Sequence, residues 1–329
     1  MMSNRRQLIS IGTKTVRIVH DRITGKAAVQ HPANSFSYLS TGKGKISVGN
    51  KRTLRISLDR TGGKAVVNDS FNTNLNISPM LNSAQLLDKI QNALERKEGC
   101  SVISVGATEA FVMAQYTIYS EEEFMRHGEA ENANMGAKSG FYHRGIRFPN
   151  KEARDEAVLA AKNADIVGYN TFVDSAKSLT EKVFAAYKIK PPYVFEANLR
   201  RVMMFSQKEK FEKILQGRRI LLISSLAEQA KAALENNLQD RLGFAVVGAI
   251  SIHEYEEIPY VKEQISQYEF DLCLLAAGIN AVILAPYIAK VYGKVAIDIG
   301  WGMQSLISGE IVADPWVTDI IGLDNLFAM

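Results

Sequence analysis

The chain has 329 residues, 47% of them apolar, with eight prolines and a formal net charge of +4. This excludes a disordered or fibrous chain and predicts a soluble globular protein, long enough for one large core and a smaller second unit. No run reaches the ~20 apolar residues of a membrane span, and the start "MMSNRRQLISIGTK" lacks a long apolar signal core, so a cytoplasmic protein is expected, or a virion-associated one if phage-encoded.

In chain order, the first distinct feature is charge. Residues 1–66 hold thirteen Lys and Arg against two acids, Asp21 and Asp59, a local charge of +11 that leaves −7 for the remainder. Here "TKTVRIVHDRI", "GKISVG", "KRTLRISLDR" and "GKAVVND" alternate apolar and polar residues between Gly-rich breaks, as hairpins do. A small basic β-rich unit or arm is predicted over residues 1–78. Its charge is either a solvated face that protects sheet edges or a docking surface for an acidic protein or a nucleic acid. The glycine-rich "STGKGKIS" lacks the spacing of a phosphate-binding loop.

From residue 79 the pattern changes to helices alternating with strands. "NSAQLLDKIQNALERKEG" places Leu86, Leu87, Ile90 and Leu94 on one face, with Ser83 as the cap candidate and Gly99 as the stop. "CSVISVG" is a buried strand and "TEAFVMAQYTIYS" the helix after it. "ADIVGY", "RRILLIS", "FAVVGAIS", "FDLCLLAAG" and "KVAIDIG" continue the series. Continuous apolar strands separated by helices predict an α/β fold over residues 79–329, a doubly wound, mostly parallel sheet covered on both faces. Cys100 and Cys273 lie beside or inside these strands and are expected as buried thiols.

Ligands bind such sheets at the carboxyl ends of the strands. That rule selects Gly106, Thr108 and Glu109 after one strand, Ser224 and Ser225 after another, Gly278 and Asn280 after a third, and Asp298 to Trp301 after the last. Glycine turns let backbone approach a ligand, and the helix start beyond them attracts anions. Glu109 is either a ligand for a divalent cation bridging protein and phosphates, or simply an acid in a first helical turn. Asp298 is otherwise a turn acceptor or cap, and Asn198 otherwise a buried amide that satisfies backbone. Arg144 and Arg147 in "GFYHRGIRFPN" can stabilise a departing diphosphate or lie along a surface loop. His143 beside them is a candidate general base or a solvated loop histidine. Trp301 can wall a pocket or stack on a base or sugar face.

The segments "SVISVGATEAFVMAQ", "GFYHRGIRFPNKEARDEAVLAAKNADIVGY", "VFEANLRRVMMF", "GRRILLISSLAEQAKAAL" and "FDLCLLAAGINAVILAPYIAKVYGKVAIDIGW", in that order, resemble the GT-D-type glycosyltransferase domain of bacteria and their phages over roughly residues 80–310. The resemblance implies a nucleotide sugar as donor, an acceptor of unknown identity, and a divalent cation (Mn²⁺ or Mg²⁺) held by an acidic Gly-Asp-Gly-Glu motif. The matching residues are Gly106, Ala107, Thr108 and Glu109, so the glutamate is kept and the aspartate is replaced. After the last strand Asp298 matches the family's aspartate, whereas Trp301 follows in place of the histidine of Asp-Gly-His; Asn198 matches a recurrent polar position. Losing a carboxylate removes an anionic ligand from a cation site. Two functions follow: a nucleotide-sugar-dependent glycosyltransferase, or a noncatalytic assembly protein, such as a virion component, that keeps the fold and docks through its basic N-terminal unit. Either is compatible with a homo-oligomer.

Overall fold

The computed structural model describes residues 78–135, 145–313 and 317–329, together with the backbone of seven strands before residue 70. The chain divides into two compact units, residues 1–76 and 77–329. In the first unit, β1 (Arg6–Ile11), β2 (Lys14–His20), β3 (Ala27–Gln30) and β4 (Phe36–Leu39) pair in sequence order as an antiparallel sheet. The strands β5 (Gly44–Ser47), β6 (Thr53–Leu58) and β7 (Ala65–Asn68) form a second antiparallel sheet.

The second unit carries eight strands: β8 (Met80–Leu81), β9 (Cys100–Val105), β10 (Ile166–Tyr169), β11 (Tyr193–Glu196), β12 (Arg219–Ser224), β13 (Ala245–Ile250), β14 (Leu272–Ala276) and β15 (Val295–Asp298). They form one sheet in the order β13-β12-β14-β15-β9-β10-β11-β8, and every pairing is parallel. The doubly wound parallel sheet expected from the apolar runs is therefore present. "SVISVG", "RRILLIS" and "DLCLLAAG" supply interior strands of it.

The helices of this unit are α1 (Ser83–Arg96), α2 (Ala107–Ala114), α3 (Glu121–Met125), α4 (Gly128–Met135), α5 (Lys151–Asn163), α6 (Asp174–Tyr187), α7 (Leu199–Ser206), α8 (Lys208–Leu215), α9 (Ala227–Leu234), α10 (Asp240–Leu242), α11 (Ile258–Ile265), α12 (Ile279–Tyr292), α13 (Gly302–Ser308) and α14 (Leu323–Ala328). Successive strand residues point to opposite faces, so each interior strand feeds two cores. In β12, Ile220 and Leu222 join one core while Leu221 and Ile223 join the other. The core of Leu221 and Ile223 also takes residues of α2, α5, α6, α11 and α12, and the core of Ile220 and Leu222 takes residues of α1, α7, α8, α9, α13 and α14.

Local chemistry sets the ends differently from expectation in two places. The cap of α1 is Asn82, not Ser83. Its side chain accepts from the Gln85 N–H at 2.8 Å, and Gln85 Oε1 accepts from the Asn82 N–H at 3.0 Å, a reciprocal capping box. The helix also stops before Gly99, because Lys97 already adopts the left-handed conformation at φ 56°. The helix α2 ends at Ala114 instead of continuing through "QYTIYS". There the buried Gln115 side chain exchanges hydrogen bonds with the Asn150 backbone, at 2.6 and 2.7 Å, and Tyr116 turns the chain at φ 56°.

Candidate functional site

The site begins where β9 passes into α2. Gly106 is the N-cap residue, and no side chain caps the exposed end of this helix. Ala107 is exposed, and Glu109 lies in the first turn with 8% of its surface accessible. The Glu109 side chain folds back over the helix start: a Cβ at position 106 would lie 2.7 Å from Glu109 Oε2, so a side chain there would make the carboxylate shift. Thr108 points elsewhere, with Oγ1 donating to Glu129 Oε2 at 3.3 Å.

The end of β15 supplies Asp298, 1% exposed. Its Oδ1 accepts the Gly300 N–H at 3.0 Å, and its Oδ2 accepts from Arg200 Nη1 at 2.5 Å. Burial pushes the Asp298 acid up; Arg200 and the Gly300 and Ser104 N–H groups pull it down, the negative charge of Glu109 pushes it up, and the result is about 6. Gly300 sits at φ 44°, and a Cβ there would meet Arg200 Cζ at 2.6 Å, so the guanidinium lies flat across this glycine. The two carboxylates feel each other because β9 and β15 are paired neighbours, while α2 and α13, the helices that follow them, belong to opposite cores. A crevice between strands whose following helices leave to opposite faces is the place where open α/β sheets bind ligands.

The end of β11 contributes Glu196, fully buried. Its Oε1 accepts from Asn198 Nδ2 at 2.6 Å and from the Asn198 N–H at 3.1 Å, and its Oε2 accepts from the Thr171 N–H at 2.6 Å and from the Thr171 hydroxyl at 2.5 Å. Asn198 thus serves as an anchored start for α7, two residues before Arg200. Neither Glu196 nor Arg200 was singled out from the sequence. The available signal was their place in "FEANLRR", directly after an apolar strand.

At the fourth loop Gly278, at φ 55°, precedes α12, and the buried Asn280 donates from Nδ2 to the Gly145 carbonyl at 3.2 Å. Asn280 therefore tethers the loop that carries Arg147. The Arg147 guanidinium is engaged by Glu254 Oε1 at 3.2 Å and by the Asn134 carbonyl at 3.0 Å. His143 and Arg144 lie outside the described residues. Trp301 opens α13, and the Arg201 guanidinium stands over its ring, 5.5 Å from the centroid.

A family model for the GT-D fold-like domain matches residues 81–306. The chain belongs to this family. The match runs from β8 into α13 and includes Gly106, Glu109, Asn198, Arg200, Asp298 and Trp301, so the crevice lies within the GT-D-like region. No curated protein matches by sequence. Two solved structures are similar in fold to the GT-D-like chain. One is described as the conserved domain of unknown function 1792 with a distinct glycosyltransferase fold (13% identity, 71% of this chain and 83% of that one, TM-score 0.48). The other is described as a new glycosyltransferase from Streptococcus sanguinis (14% identity, 71% of this chain and 87% of that one, TM-score 0.46). Among the described residues no helix is long and apolar enough to cross a membrane.

At nucleotide sites a small divalent cation such as Mg²⁺ is held by one or two carboxylates, with waters and substrate phosphates completing the shell. Here position 107 is an alanine, both Asp298 oxygens are engaged, and no group of three His, Cys, Asp or Glu among the described residues is arranged to hold a metal. With Asp298 already paired to Arg200, the described residues fit the cation poorly.

Proposed function

We propose that the chain transfers a sugar from a nucleoside diphosphate donor to an acceptor hydroxyl at the carboxyl edge of β9 and β15. The observation that carries this reading is the placement of two buried carboxylates at the carboxyl edge of neighbouring strands, Glu109 in the first turn of the helix after β9 and Asp298 at the end of β15. Membership of the GT-D-like family supports it. In the reaction the acceptor oxygen bonds to the anomeric carbon as the bond from that carbon to the diphosphate breaks. The acceptor proton passes to a carboxylate, a role for which Glu109 stands at the entrance of α2. Charge developing on the diphosphate is met by the uncapped N–H groups of α2 and by the arginines of α7.

Titration of the full chain with uridine and guanosine diphosphate sugars, with product detection, tests this. Glu109→Gln should lower turnover by about 10²–10⁴-fold while leaving the melting temperature nearly unchanged, since a general base contributes to rate far more than one first-turn acid contributes to stability. Neither binding nor turnover across the panel would reject the enzyme and leave Glu109 as a first-turn acid. The exposed Ala107, where the resemblance expects a second acid, is the feature that favours a noncatalytic relative in that event.

A further inference from the structure

The Asp298 carboxylate is already balanced by protein. The helix α7 brings Arg200 to Asp298 at the end of β15 and Arg201 over the Trp301 ring at the start of α13. The Arg200 side chain is 13% exposed, is held by Asp298 at one end group, lies across Gly300, and leaves its Nε buried with no acceptor. A divalent cation favours carboxylates with uncompensated charge, and beside Arg200 it would instead meet a fixed positive group. A guanidinium has the opposite preference: it stays charged at any working pH and, with Nη1 on Asp298 and Nε buried, it still has Nη2 to offer a phosphate oxygen.

We propose that the chain receives the diphosphate of its donor on the Arg200 guanidinium without a divalent cation, Asp298 and Gly300 fixing the plane of that guanidinium. Arg200 takes the electrostatic role that the family resemblance gives to a metal, and Asp298 acts as its positioning residue. The conformation of Gly300 is part of the device, because any side chain there would displace the guanidinium. This inference rests on the nucleoside diphosphate reading of the site.

Calorimetry of the full chain with UDP and with GDP, in excess EDTA and in excess Mn²⁺, tests it. The expected result is the same affinity in both conditions and a loss of about tenfold or more in Arg200→Gln, the size of effect that charge-assisted pairing to phosphate gives. Arg200→Lys, which keeps the charge without the fork, should fall between. Because Arg200→Gln leaves Asp298 buried without its partner, the double variant Arg200→Gln/Asp298→Asn, which restores a neutral hydrogen-bonding pair, is measured beside it and should remain defective while folding normally. Binding only with Mn²⁺ overturns the inference but leaves the donor reading standing. Wild-type affinity in the double variant overturns the assignment to Arg200. No binding of either nucleotide in either condition removes the donor reading and this inference together.

Discussion

At the scale of single residues, Asp298 carries the most testable chemistry. Its acid is raised from 3.8 to about 6, so the native state holds the proton more tightly than the unfolded chain does. The sign follows: this group makes no demand on stability below about pH 4, weakens the fold as pH rises through the window from about 4 to 6, and exerts its full cost above it. Across that window the stability of the wild type relative to Asp298→Asn should fall by an amount on the order of 3 kcal/mol, since two pKa units correspond to that much. Urea denaturation of both proteins at several pH values measures it, and a flat difference would show that Arg200 outweighs burial. The cysteines make a simpler case. Burial pushes the Cys100 thiol up to about 12 and raises Cys273 well above the ordinary thiol range, so neither presents thiolate at neutral pH. Iodoacetamide should label neither thiol in the native protein and both after denaturation; rapid native labelling of either would contradict the buried strand positions. Both thiols were legible as buried from their apolar neighbours. Glu196 was not, because a carboxylate written after an apolar strand looks like a surface residue until Thr171 and Asn198 are found around it.

Among the elements, the strands were the easiest to read and the helix ends the hardest. An apolar run of five or six residues identifies a strand buried on both faces, whereas a helix end depends on which cap or hooked side chain wins, as Asn82 and Gln115 show. The strand β10 offers a direct test of packing between strands. Gly168 is in register with Phe195 of β11, and a Cβ on Gly168 would lie 2.5 Å from the ring. Phe195 is fully buried, so it has little room to move aside. Gly168→Ala should destabilise the protein by about 1–3 kcal/mol, the usual cost of overpacking, despite the better strand propensity of alanine. Thermal denaturation reads the effect, and an unchanged melting temperature would mean that the ring relocates freely. The candidate site inherits its precision from the same elements: Glu109 and Arg200 sit in first turns of helices, close behind strand ends, where little backbone freedom remains.

For the whole molecule, the charge asymmetry predicts a division of labour between the units. Residues 1–66 carry +11 and the remainder −7, so attraction to polyanions should reside in the first unit. The intact chain should be retained on immobilised heparin and released as salt rises, because counterions compete for Lys and Arg. A fragment of residues 77–329 should melt cooperatively and should not be retained; equal retention of the fragment would place the polyanion-binding surface elsewhere. By itself the sequence determined the alternation of helix and strand, the parallel character of the large sheet, and the candidate positions beyond its strand ends at Gly106, Ser224, Gly278 and Asp298. These follow from local periodicity and from the need to cover a parallel sheet on both faces. Only the tertiary structure decided that β15 lies beside β9 although the two are far apart along the chain, and hence that Asp298 and Glu109 share one edge of the sheet and that Arg200 pairs with Asp298. Strand order is set by how the helical layers pack against the sheet, a sum of long-range contacts that no local pattern of residues encodes.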